Sequence, residues 1–182
     1  MKPGRSSGRR SRPSVLPSGF FDRSAADVAR DLLGKALVRR IGRTEHALTI
    51  IETEAYLGPH DLACHSARGR TPRTEVMFGP PGALYIYLVY GLHLMLNVVT
   101  GPEGCAAAVL IRGAGTAQGP GRVGRALALT IDLNGKPASP ETGVWFEDRS
   151  VVARRIIPAP RIGVGYADPH WSRRKLRFIL RT

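Results

Sequence analysis

Strand-length apolar runs follow one another along this chain, and helical periodicity interrupts them only briefly. Lys35–Arg40 and Ala47–Tyr56 read as strands joined by a turn at Gly42. Ala83–Val89 and Leu94–Thr100 flank the segment Tyr90-Gly91-Leu92-His93, and Ala106–Arg112 is a further strand. Val144–Phe146, Ala153–Ile157 and Leu176–Leu180 read as shorter ones. The clearest helix is Ser24–Leu33. Ser24 suits the N-cap, Ala25, Val28, Ala29, Leu32 and Leu33 recur at helical spacing, and Gly34 suits the stop. Gly113–Gly121 reads as a glycine-rich loop, with a second helix starting within Gly124–Leu129. Strands without βαβ alternation exclude a doubly wound parallel sheet. They predict an α+β domain on a mostly antiparallel sheet.

The length of 182 residues suits one domain, and the 43% hydrophobic content is enough for a real core. No apolar run approaches the roughly 18 residues of a membrane helix. Two cysteines, Cys64 and Cys105, cannot build a disulfide framework or a four-thiolate zinc site. The basic start lacks the apolar stretch of a secretory signal, which predicts an intracellular protein.

The net charge is +13, and all of the excess lies at the two ends. Residues 1–17 carry five bases and no acid, interleaved with Ser, Gly and Pro, and read as a disordered basic tail before a domain at 18–182. Residues 149–182 carry nine bases against the single acid Asp168, while the stretch between is neutral. A basic surface on a folded region favours a polyanionic partner, nucleic acid first.

Chemistry-bearing residues gather in four places. Along Glu52-Thr53-Glu54-Ala55-Tyr56, alternation puts Glu52, Glu54 and Tyr56 on one strand face, shared with Leu48 and Ile50. Carboxylates two apart on a strand are about 7 Å from each other. Beside apolar neighbours, one of them gains the raised proton affinity of a general base or acid. The alternative is a strand leaving the core with its acids in solvent or on an arginine. Tyr85 and Tyr87 share a face, either as core or as a stacking surface. Tyr90, beside Gly91, falls at a hairpin tip, where its ring could serve as a wedge between base pairs. His60, Cys64 and His65 follow Glu54 in a loop. Their spacing matches no standard zinc signature, and His65 suits the wall of a pocket better. Asn97 and Arg112 interrupt apolar strands and need specific partners, Glu54 being one for Arg112. Gly119-Pro120-Gly121-Arg122 could offer amides and a cation to a phosphate.

The run from Ile51 to Pro59 (ETEAYLGP within it), with Asp61 and His65, resembles the alkyladenine (3-methyladenine) DNA glycosylase family. So do Arg70-Thr71-Pro72-Arg73, Met77-Phe78, Leu84-Tyr85-Ile86-Tyr87, Tyr90-Gly91, Asn97, Leu110-Ile111-Arg112, Gly119-Pro120-Gly121-Arg122 and Arg161-Ile162-Gly163-Val164. These segments span residues 20–180 in consistent order. The resemblance implies a compact single domain, a curved sheet with flanking helices and a protruding β-hairpin that enters the DNA minor groove. It also implies a monomeric, monofunctional enzyme of base excision repair. Such an enzyme flips an alkylated or deaminated purine out of double-stranded DNA and hydrolyses its N-glycosidic bond. Glu54 would activate water with Arg112 holding it, and Tyr56, His65 and Tyr87 would grip the base. Asn97 would reject guanine, Tyr90 would fill the gap in the stack, and Gly121 and Arg122 would meet phosphate. No metal and no organic cofactor is implied. The chain departs from the family pattern at Cys64, Thr74 and Val123-Gly124. The alternatives are a non-catalytic nucleic-acid-binding protein on the same scaffold and a metal-dependent hydrolase using Glu54, His60 and His65.

Overall fold

The computed structural model describes residues 13–149 and 155–181. Most of the expected basic tail, through residue 12, lies outside them, as does Ala153. In chain order the elements are β1 (Ser14–Val15), α1 (Ser18–Phe21), α2 (Ala25–Asp31), β2 (Ala36–Ile41), β3 (Thr44–Tyr56), β4 (Leu84–Val89) and β5 (His93–Thr100). They continue with β6 (Ala107–Ala114), β7 (Ala117–Gln118), α3 (Pro120–Ala126), β8 (Val144–Asp148), β9 (Arg155–Ala159), α4 (Pro169–Ser172) and β10 (Arg177–Arg181). The fold is α+β on one open antiparallel sheet, ordered β1-β8-β2-β3-β6-β5-β4, with β10 joined to β3 and β9 and β7 to β6.

Strand pairing begins ahead of residue 18, the expected start of the domain. Ser14 and Val15 pair with Asp148 and Glu147, and Leu16 is buried in the core. Helix α2 forms as its sequence predicts. The Ser24 hydroxyl accepts from the Asp27 amide at 3.2 Å, and Ala25, Val28 and Ala29 face inward. The buried Thr53 hydroxyl donates to the Ala29 carbonyl at 2.7 Å, tying this helix to β3.

Strand β3 organises the sheet. Its first half pairs with β2, its last turns of pleat pair with β10, and Ile50–Tyr56 run beside β6. The sheet is covered on both faces. Leu84, Ile86, Leu96, Val98, Val109 and Ile111 join α2 in the main core. The alternating neighbours Tyr85, Val99 and Ala108 belong to a second cluster with Cys64, Met77 and Ala106. Full burial of each large aliphatic in the main core contributes roughly 1.5–3 kcal/mol.

Two expectations need correction. Ile50 and Leu48 do not share a face with Glu54. The pairing of β3 with β6 shifts between Ile50 and Glu52 and again between Glu52 and Thr53. Ile50 and Thr53 consequently both point to the α2 side, as do Ala114 and Ile111 across the ladder. One irregularity reverses both strands together and sends Glu52, Arg112 and Glu54 to the opposite face. Nor is Gly113–Gly121 a plain loop. Gly113 and Ala114 complete β6, β7 turns back along it, and α3 begins at Pro120, ahead of the expected Gly124. Glycine is a poor helix former, but here close approach decides. A Cβ on Gly124 would stand 2.2 Å from the Leu94 carbonyl oxygen of β5.

Candidate active site

On the second face of the sheet, the ends of β3, β4, β5 and β6 and the 162–166 segment enclose a cavity of about 540 Å³. That is in the range of small-ligand pockets. Glu54, Tyr56, His65, Tyr87, Asn97 and Arg112 all line it. Tyr90 stands at its rim.

Glu54 is the chemical centre. Its residue surface is 0% exposed. Oε1 accepts from the Ile162 amide at 2.9 Å and lies 3.6 Å from Arg112 Nε; Oε2 accepts from the Tyr56 hydroxyl at 3.0 Å. Burial raises its proton affinity above that of an ordinary glutamate, while Ile162, Arg112 and Tyr56 pull it back. The result is a carboxyl that is aimed, desolvated and still able to ionise, as a general base requires.

His65 and Tyr87 form one aromatic wall, rings edge to face with centroids 4.8 Å apart. Tyr85 backs them. Its hydroxyl is 3.0 Å from His65 Nδ1, and the Arg73 guanidinium lies 4.8 Å from the neighbouring Tyr87 ring centre. Burial raises the Tyr85 pKa, so its proton stays. Burial, with Arg73 and Arg68 nearby, lowers the His65 pKa to about 4, so the ring is neutral at physiological pH. Burial likewise holds the Tyr56 and Tyr87 phenols protonated. Tyr56 packs against the same cluster as Tyr87 and carries the Arg161 guanidinium 4.9 Å from its ring centre.

Asn97 is buried under the wall and donates from Nδ2 to the Tyr85 carbonyl at 3.1 Å. Tyr90 sits on the β4–β5 turn with φ 51° and Gly91 beside it at φ 67°, closed by a Leu92 N–H to Val89 carbonyl bond. Its side chain is 91% exposed, with Leu88 and Leu92 exposed beside it. Gly121 and Arg122 lie in the first turn of α3. A Cβ on Gly121 would meet the His93 ring at 2.9 Å, so this glycine serves packing, and Arg122 is exposed. His60 is not brought to Glu54 and His65; it packs against Trp171, 5.7 Å between ring centres. Among the described residues no three His, Cys, Asp or Glu side chains are grouped to hold a metal ion.

Arg161, quoted from the sequence only within a family-like segment and without a role, proves central to the site's framework. Its side chain is fully buried and bonds both oxygens of buried Asp61, Nη1 to Oδ2 at 2.5 Å and Nη2 to Oδ1 at 2.9 Å. Nη1 also donates to the Ala55 carbonyl at 3.0 Å, and Asp61 accepts from the Leu57 and Ala63 amides. This clamp fixes the segment whose next amide, Ile162, holds Glu54. Arg73 was likewise quoted only within the family-like segment Arg70-Thr71-Pro72-Arg73 and given no role there.

The family model described as methylpurine-DNA glycosylase matches residues 19–116 and 113–182. The chain belongs to the methylpurine-DNA glycosylase family. It is also similar to curated proteins that carry the name "Putative 3-methyladenine DNA glycosylase". One, from Anaeromyxobacter dehalogenans, is 46% identical over 91% of this chain and 83% of its own length. One from Legionella pneumophila (strain Corby) is 44% identical, covering 91% of this chain and 94% of its own length. One from Methanocella arvoryzae is 43% identical, at 84% and 86%. Among the described residues no helix is long and apolar enough to cross a membrane.

Proposed function

We propose that this protein excises alkylated purines of the 3-methyladenine type, with hypoxanthine as a further candidate, from double-stranded DNA as a monomer. It turns the damaged nucleotide out of the duplex into the cavity and hydrolyses its N-glycosidic bond. The observation that carries the reading is one fully buried carboxylate, Glu54, in the same cavity as the His65–Tyr87 wall. The base lies against that wall with Tyr56 opposing it, and Tyr90 occupies the space it leaves in the stack. His65 is neutral and adds no positive charge of its own against a cationic methylated purine, while the Arg73 and Arg161 guanidiniums lie 4.8 and 4.9 Å from the Tyr87 and Tyr56 ring centres. Asn97, which lines the same cavity, rejects guanine by a clash with its exocyclic amino group.

As the glycosidic bond lengthens, its electron pair leaves with the base and positive charge grows on the sugar. A cationic base departs neutral and needs no proton. A neutral base such as hypoxanthine must gain one. Glu54 takes a proton from a water whose oxygen bonds to C1′, and its negative charge stabilises the sugar cation. Arg112, Tyr56 and the Ile162 amide keep the carboxylate aimed at that water. The products are the free base and an abasic site.

The test is incubation of the purified protein with duplexes carrying methylated adenine or hypoxanthine, then alkaline cleavage at abasic sites. Wild type is expected to release methylated adenine, and Glu54→Gln to bind the lesion duplex without releasing it. A fully active Glu54→Gln variant removes Glu54 as the base. Binding by the wild type with no release on either duplex supports a non-catalytic DNA-binding role instead.

A further inference from the structure

Arg112 does not belong to Glu54 alone. Its Nε stands 3.3 Å from Glu52 Oε1 and 3.6 Å from Glu54 Oε1, so one guanidinium nitrogen lies between two carboxylates. Glu52 is in turn held from the far side. Arg177 of β10 donates from Nη1 to the same Glu52 Oε1 at 2.7 Å, and its Nε is anchored on the Pro160 carbonyl at 2.8 Å. The three side chains are mostly shielded from water, at 15–19% exposure, and Glu54 is fully so. The double shift in the β3–β6 pairing creates this row by turning Glu52, Arg112 and Glu54 to one face. Gly113, the partner of Glu52, leaves no space for a side chain. A Cβ there would stand 3.1 Å from Glu52 Cβ and 3.0 Å from Ile51 Cγ1.

We infer that Glu52 is a positioning residue: anchored by Arg177, it divides Arg112 between two carboxylates and so sets how tightly Glu54 holds its proton. The inference deepens the reading of Glu54 as the base. An arginine given wholly to Glu54 makes the carboxylate too weak a base, and one drawn wholly to Glu52 leaves a buried carboxyl that stays protonated. The other groups facing Glu54 are the Tyr56 hydroxyl beside it on β3, the Ile162 amide, Arg161, and Tyr87 from β4. Those facing Glu52 are Arg112, Arg177 and Glu54. Among the described residues only Arg112 touches both carboxylates.

The experiment is a pH titration of the whole protein labelled with ¹³C at glutamate side-chain carboxyls. The Glu54 resonance is assigned by its loss in Glu54→Gln. Glu52→Gln frees Arg112 for Glu54 and is expected to lower the Glu54 midpoint by about one pH unit. Arg177→Gln lets Glu52 draw Arg112 away and is expected to raise it. Because Arg177 acts through Glu52, the double variant should titrate like Glu52→Gln alone. Glu52→Asp, which keeps the charge, should fall between wild type and Glu52→Gln. Midpoints unmoved in both single variants, moved in the same direction, or additive in the double variant overturn the inference. The same midpoints should appear in the acid limb of the single-turnover excision rate. An inactive wild type with the expected NMR shifts would sink the proposed reaction and leave the division of Arg112 standing. Normal excision with unmoved NMR midpoints would do the reverse.

Discussion

Cutting the Arg161–Asp61 clamp should cost more than any other single ion pair described here. Both side chains are fully buried and meet through two short bonds, whereas pairs such as Arg70–Glu75 and Lys136–Asp132 are half or more exposed. Arg161→Met leaves the Asp61 carboxylate buried with two backbone amides, Leu57 and Ala63, and no counter-charge. Removing one partner of such a pair typically costs roughly 3–5 kcal/mol. At about 2–4 °C per kcal/mol for a domain of this size, the melting temperature should fall by roughly 6–20 °C. Asp61→Asn in the wild-type background should also destabilise, because it strips a charge-assisted bond from Arg161. In the Arg161→Met background the same change removes the stranded charge and should restore stability. Urea unfolding of the four proteins, compared at equal m-value, reads this reversal of sign directly. If Asp61→Asn costs the same in both backgrounds, the pair does not act as a desolvated ion pair, and its hold on the Ile162 segment fails with it.

Tyr90→Ala should weaken binding to lesion-containing duplex by roughly one order of magnitude, as loss of one stacked ring implies. Anisotropy titrations with equal affinities for the two proteins would remove the wedge role. His65 gives stability a pH dependence of definite sign. Its folded pKa, about 4, lies below the ordinary 6.5, so in that interval the unfolded chain binds the proton and the folded one does not. The contribution is complete above pH 6.5 and is lost as pH falls towards 4. His65→Phe should lack this loss, and parallel stability–pH curves for the two proteins would refute it. Gly124→Ala forces a Cβ to 2.2 Å from the Leu94 carbonyl, a backbone atom that cannot swing aside. It should cost roughly 1–3 kcal/mol or more, and a melting temperature equal to wild type would show that α3 and β5 are not in the contact described.

The parts of this molecule legible in its sequence are those with a local rule. Alternation marked the strands, Ser24 and Gly34 bounded α2, and the Tyr90-Gly91 pair marked the β4–β5 turn, each an arrangement that chain neighbours dictate among themselves. The gathering of Glu54, Tyr56, His65, Tyr87, Asn97 and Arg112 was anticipated through family-like segments, because nothing between residues 54 and 112 says how the chain returns. What could not be read lies in contacts between distant segments. Gly121 and Gly124 look like loop residues until β5 is placed against them. Arg161 resembles any other basic residue of the C-terminal stretch until Asp61, a hundred residues earlier, is set on its guanidinium.

The faces of β3 show most clearly how that limit works. Strict alternation assigns Ile50, Glu52 and Glu54 to one side, and the charges then seem to continue an apolar face. The pairing irregularity against β6 breaks the alternation once, on both strands, at the boundary between core and site. Without it, either Ile50 would leave the core or Glu54 would enter it opposite α2, away from the Ile162 amide that holds it. A regular strand can place a hydrophobic residue and a carboxylate four positions apart only on the same face. This chain needs them on opposite faces. The bulge, with Gly113 leaving room for Glu52, is therefore the backbone feature that lets one strand serve as core on one side and acid–base machinery on the other.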